Sequence, residues 1–257
     1  MGTALSIIGV IAYTVLSWRL RKTGLVTQYR WLFWYSIFAA LRIFQGQLFV
    51  WFQAYKTNLY FVWWVATEVT AWVLFVLMVL ELHAKIFKPY PGLASFSRRL
   101  FQVGLAVSIP LSLITLLPEL GSRSPNQYVM AVMVLQRGVM TSLIVFLFVL
   151  LGAVLWFRLQ LPRNAIVHTI VFFLYFLAKV GIAFVFQVFD LHVHREISTS
   201  LQAAAVLCVL GWIFGLRPLG ETVRRPPAGE GWSPERSAEL QRQMGALGSM
   251  LDPSVRK

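Results

Sequence analysis

Seven apolar runs, separated by short polar segments, constrain this chain more than any other feature. A helix that crosses a bilayer needs about 20 predominantly apolar residues. Runs of that order occupy residues 3–18, 31–53, 60–82, 100–117, 128–157, 166–189 and 199–216. Pro110 predicts a kink in the fourth, and the length of the fifth predicts a tilt. The sequence predicts an all-α fold: a polytopic bundle of seven transmembrane helices in residues 1–216, followed by a cytoplasmic tail in residues 217–257. Composition agrees. Hydrophobic residues make up 58% of the chain and charged residues 13%, about half the charged share of a soluble domain.

The basic residues set the orientation. Segments after the odd runs carry Arg19, Arg21, Lys22, Arg30, Lys85, Lys88, Arg98, Arg99, Arg158 and Arg163, whereas those after the even runs carry only Lys56, Arg123 and Arg195. Seven more lie in the tail, from Arg217 to Lys257. Positive residues concentrate on the cytoplasmic side, which predicts N-out, C-in. A net charge of +13 would suggest nucleic acid in a soluble chain; here the charge is topological, and no nucleic-acid partner is expected. The first run has no positive residue before it, so it reads as a first span and not as a cleaved signal. Trp31, Trp34, Trp51, Tyr55, Tyr60, Trp63, Trp64 and Trp156 stand at run ends, where aromatic rings anchor helices at headgroup level.

Four charges interrupt the runs: Arg42, Glu68, Arg137 and Lys179. At 1.5 Å per residue, all four sit at a common depth of roughly 12–17 Å below the outer surface. Charges at that depth usually face a bundle interior or a cavity. Arg42, Glu68 and Lys179 are therefore expected to meet, with one carboxylate among an excess of cations. Gln45, Thr67, Gln136, Tyr175 and Gln187 are their polar neighbours in sequence. Two readings of this layer stay open: an internal ion-pair network that fixes packing, and a site for a polar or anionic ligand entering from outside.

Other candidates are weaker. Asp190, His192, His194 and Glu196 alternate and would share one face of an extended segment, a donor set that suits a divalent metal; the ordinary reading is a polar loop, and no metal is assigned. His83 and His168, with Glu81, read as interfacial groups, solvated or hydrogen-bonded, and not as haem ligands. The single cysteine, Cys208, has no partner for an intrachain disulfide and reads as a small packed side chain. No retinal-type lysine lies in the seventh run. The sequence also has no Gly-x-Ser-Gly, no His-Glu-x-x-His and no phosphate loop. No cofactor and no enzymatic reaction are expected.

In the tail, residues 224–231 read as an extended linker rich in proline and glycine. Ser233-Pro234-Glu235 has the form of a helix start, and Leu240, Met244, Leu247 and Leu251 come after it at helical spacing. Gly245 and Gly248 weaken that helix, so an amphipathic helix on a membrane or partner and a disordered tail both remain readings.

The stretch Tyr60-Phe61-Val62-Trp63-Trp64-Val65-Ala66-Thr67-Glu68, the apolar run to Glu81 and the later Tyr90-Pro91-Gly92-Leu93 resemble a pattern in uncharacterised bacterial seven-helix membrane proteins. The layout is also similar to the seven-helix sensor portions of bacterial signalling proteins. That resemblance implies a bacterial inner-membrane location and a sensory role, with a cytoplasmic signalling partner reached through the tail. A small transporter and a structural or assembly component are the alternative roles.

Overall fold

The computed structural model describes residues 2–54, 57–87, 99, 102–103, 106, 127–156, 161–189, 194–221, 238 and 242, with only the backbone described at 2, 127–131, 133–134, 137, 153, 156, 182–189 and 194–198. The described residues form six long helices: α1 (Gly2–Lys22), α2 (Arg30–Trp51), α3 (Asn58–Phe87), α4 (Gln127–Trp156), α5 (Arg163–Phe189) and α6 (His194–Gly215). No strand occurs among them. Most of the fourth apolar run, Pro110 included, lies outside the described residues, as does most of the tail.

Packing order follows chain order. Each described helix packs against the next, α6 closes back on α1, and α3 also reaches α5 across the middle. The pattern of α3 shows why. Glu68, Trp72, Phe75, Val79, Leu82 and Ile86 recur every three to four residues and are buried, while Val62, Val69 and Val73 on the other side are exposed. That spacing puts one stripe on the core and leaves the rest of the helix for another apolar medium. Apolar outer surface is general: Ile11 is 58% exposed, Phe148 67% and Phe214 69%. A water-soluble bundle would place polar residues there.

Three described stretches are long and apolar enough to cross a membrane, namely Thr3–Lys22, Asn58–Phe87 and Arg163–Gly181, and shorter apolar helices cover Gly138–Gly152 and Thr199–Gly215. The chain thus has the build of an integral membrane protein with its helices against lipid. Helix α2 has the length of a span, but Arg42, Gln45 and Gln47 lower its apolar character.

Helix ends have local causes. Gly24 follows α1 with φ 72°, the left-handed geometry that stops a helix at low cost when the residue is glycine. A 3-10 turn at Leu25–Thr27 then leads to α2. Helix α5 starts just after Pro162, whose carbonyl accepts the Ala165 N–H at 3.0 Å. Two contacts gather α1, α5 and the end of α6 at one pole of the bundle. Arg19 donates to the Leu216 carbonyl at 3.2 Å, and Asn164 donates to the Arg217 carbonyl at 2.6 Å. Arg19, Arg21, Lys22, Arg30, Lys85, Arg163 and Arg217 lie at or near this pole, which we call the basic end.

Candidate functional site

Two polar assemblies occupy the bundle, one at mid-helix depth and one at the basic end. The first is centred on Glu68. Its carboxylate Oε1 forms an ion pair with the Arg42 guanidinium, joining α3 to α2. The side chains are 9% and 22% exposed. Lys179 of α5 is partly buried, lies 5.7 Å from the Tyr175 ring centroid, and interacts electrostatically with both Glu68 and Arg42. Of the expected trio, Arg42 and Glu68 pair directly, and Lys179 lies on the neighbouring α5 near enough to act on both through its charge. The Trp72 indole N–H, one turn along α3, is buried beside the Glu68 carboxylate.

A chain of hydroxyls continues from this layer. Tyr175 and Tyr35 lie 3.2 Å apart at their oxygens, and Tyr35 and Tyr13 lie 3.4 Å apart. All three are buried, and they link α5, α2 and α1. Phe75 of α3 packs on Tyr35 at 4.9 Å and on Tyr175 at 5.6 Å. Buried hydroxyls need partners, and here each supplies the other's. Tyr13 and Tyr35 are absent from the residues singled out in the sequence. The only available signal is a tyrosine in mid-run, where a phenylalanine would avoid the polar group.

The other expected members fall differently. Gln45 does not face the ion pair. It is exposed and accepts the Trp63 indole N–H at 3.1 Å on the outer surface of α2 and α3. One helical turn brings Gln45 near Arg42 in height, but it lies at the exposed edge of the seam between α2 and α3. Gln47 is the glutamine that reaches inward, donating to Ser6 of α1 at 2.9 Å. Thr67 bonds back to the Trp64 carbonyl at 3.0 Å. Gln136 is partly buried on α4. The side chains of Arg137 and Gln187 lie outside the described residues. So do Asp190 and His192, and the side chains of His194 and Glu196. Among the described residues no group of three or more His, Cys, Asp or Glu is placed to hold a metal.

The assembly at the basic end was not expected from the sequence. Helix α2 begins without a side-chain cap of its own at Tyr29. Glu81 of α3 fills that place: its two oxygens accept the Arg30 N–H at 3.0 Å and the Trp31 N–H at 3.1 Å. A carboxylate at a helix N-terminus satisfies free N–H groups and meets the positive end of the helix dipole. One turn on, Lys85 donates to Gln28 Oε1 at 2.8 Å, covers the Tyr29 ring at 3.8 Å and pairs with Glu221 at 2.5 Å. Glu221 ends a 3-10 turn, Pro218–Glu221, beyond α6.

Asn164 of α5 completes this clasp. Its amide donates to the Arg217 carbonyl and, at 2.7 Å, to Glu221 Oε1, while its oxygen accepts the Arg217 N–H at 3.0 Å. Gly220 packs so tightly on Asn164 that a β-carbon there would collide with the carboxamide.

His83 and His168 are not solvated interfacial groups, because their helices turn them inward; both are buried, at 5% and 1% exposure. His168 sits among Phe172, Tyr29 and Trp212 at ring distances of 4.6, 5.1 and 5.8 Å. His83 packs on Phe87 and Phe146. Tyr29 is almost fully buried; burial first, then the Glu221 carboxylate, holds its hydroxyl well above the usual phenol range.

No protein family, no curated protein and no solved structure matches the chain.

Proposed function

We propose that this chain is a sensor or receptor-like module of the bacterial inner membrane, with seven spans, its N-terminus outside and its tail in the cytoplasm. Its ligand is polar or anionic and enters the Arg42–Glu68–Lys179 layer from outside. The observation that carries this reading is the charge imbalance of a largely buried layer among the described residues: Arg42 pairs with the carboxylate Oε1, and Lys179 stands beside that pair as a second cation. A small molecule with an anionic group for the cations would complete the layer. Intramembrane charges of this kind are costly unless paired.

Helix directions support seven spans. Helix α3 ends at the basic end, where Lys85 reaches Gln28. Helix α4 ends shortly before α5, which starts at the basic end. Both therefore run toward the same pole, as the seven-span order expects of the third and fifth runs. The cations gathered at that pole support a cytoplasmic basic end. A transporter would be expected to use interrupted helices at its site, and α2, α3 and α5 run unbroken through the layer, which favours the sensor reading.

Purified protein melted against a panel of small carboxylates, phosphate, zwitterions and cations tests the site. Anionic or zwitterionic members should raise the melting temperature of the wild type and lose that effect in Lys179→Gln. Stabilisation by no member, or equal stabilisation of the variant, would reject it.

A further inference from the structure

The two polar assemblies share helices, and their spacing has a mechanical consequence. Helices α2 and α3 are antiparallel, and besides the exposed Gln45–Trp63 bond two carboxylate contacts join them: Arg42 to Glu68, and the start of α2 at Arg30 and Trp31 to Glu81. Position 30 to position 42 is a step of 12 residues on α2, and 68 to 81 a step of 13 on α3, or about 18 and 20 Å at 1.5 Å per residue. The matched lengths make the pair one braced unit. Lys85 lies one turn beyond Glu81 and projects from the same unit to Glu221. Glu221 belongs to neither α2 nor α3. It lies after α6 and is held from the other side by Asn164 of α5.

We propose that Lys85, Glu221 and Asn164 form a latch. It holds the segment Pro218–Glu221, from which the tail departs, against the bundle, and the braced α2–α3 unit couples its closure to the Arg42–Glu68 pair. Loss or rearrangement of the outer pair frees α3 to shift against α5. The latch is where such a shift is felt, because its two halves come from α3 on one side and from α5 and the post-α6 turn on the other. Packed interfaces of this kind switch between discrete arrangements and do not deform continuously. Tyr29 and Gln28, both bonded or stacked to Lys85, move with α2 and keep the lysine aimed while the unit shifts. The latch rests on the proposed ligand reading only for the event that would disturb the outer pair; the geometry stands without it.

The test uses the full chain in lipid nanodiscs with no ligand. Cys208→Ala removes the single native cysteine, and spin labels go on cysteines placed at the exposed positions Ala84 of α3 and Leu219 of the turn. Double electron–electron resonance should give one narrow distance for this background. Glu221→Gln should lengthen and broaden it. Glu68→Gln should do the same from a site more than four helical turns away, while Gln47→Ala, which breaks the bond from α2 to Ser6 of α1 and leaves the α2–α3 contacts in place, should leave it narrow. The neutral pair Arg42→Gln with Glu68→Gln is measured alongside, in case the single variant does not fold. A narrow distribution in Glu221→Gln overturns the latch. A broad one there with narrow ones in both outer-pair variants overturns the coupling. Neither result depends on finding a ligand, so the failure of the ligand reading would be seen separately, in the melting panel.

Discussion

Glu68→Gln is the perturbation that weighs the outer layer. The substitution keeps the shape of the side chain and removes its charge, so Arg42 and Lys179 face one another without a counter-ion. Truncating one member of a buried ion pair costs about 3–5 kcal/mol. Glu68 is 7% exposed, which argues for the full penalty. The Arg42 side chain is 22% exposed, and a long basic side chain can swing its head toward a wetter region, which argues for the low end, about 3 kcal/mol. A neutral bond supplies the scale for comparison. Gln47→Ala removes only the hydrogen bond to Ser6, worth about 1 kcal/mol. Reversible unfolding of the two variants by dodecyl sulfate titration in mixed micelles would separate a loss of about 3 from a loss of about 1 kcal/mol. Adding Arg42→Gln to Glu68→Gln should then cost less than the two single losses combined, because the second change removes a charge the first left unpaired. If Glu68→Gln is no more destabilising than Gln47→Ala, Glu68 does not carry a buried charge and the case for a charge-rich layer fails.

Glu81→Ala should destabilise the bundle by about 1–2 kcal/mol through loss of the α2 cap, with Glu81→Gln between it and wild type in the same titration. Gly220→Ala should cost about 1–3 kcal/mol by overpacking, and markedly less in an Asn164→Ala background, where the colliding carboxamide is gone; additive losses would refute the contact. Tyr29 should make the protein alkali-sensitive. Its hydroxyl is held above the usual phenol range chiefly by burial, so its stabilising contribution is fully present below the free phenol pKa of about 10 and is lost as pH rises beyond it. Tyr29→Phe should cost at most about 1 kcal/mol at neutral pH, the worth of one hydrogen bond from its hydroxyl toward Glu221, and should move the alkaline unfolding limb to higher pH. Alkaline phosphatase fused after Lys257 should be inactive in a bacterial host; activity there would reverse the proposed orientation.

Features dictated by cost along a single helix were legible in the sequence. Apolar length gave five of the seven expected runs as long helices with close to their expected bounds, and the second run as a helix whose polar residues thin its apolar face. Depth counting anticipated the Arg42–Glu68 pair and set Lys179 at its level, because a charge in a span has few places to go and equal depth on different helices leaves the interior as the common one. Depth does not fix azimuth, however. Gln45 and Gln47 are two residues apart on α2, and a step of about 200° separates them at 3.6 residues per turn. One bonds outward to Trp63 and the other inward to Ser6. Choosing between them needs the packing of α1 and α3, which no local pattern encodes.

The basic end was hidden for a related reason. Glu81 and Lys85 look like an ordinary pair one turn apart near a helix terminus, and such pairs are usually solvated. Their partners lie 50 residues earlier at Arg30 and Trp31 and far later at Glu221. Asn164, which no sequence pattern singles out, closes the turn after α6. Sequence reading assigned the lysines and arginines of these segments to topology. That assignment is compatible with the structure, but it treats each charge as a vote about sidedness. Lys85 has in addition a specific geometry: one amide oxygen, one aromatic face and one carboxylate around a single ammonium. A residue kept only for sidedness could sit anywhere in its loop. One with three partners from two distant parts of the chain is fixed in place, so Lys85→Arg, which preserves the sidedness vote, should still disturb the turn at Pro218–Glu221.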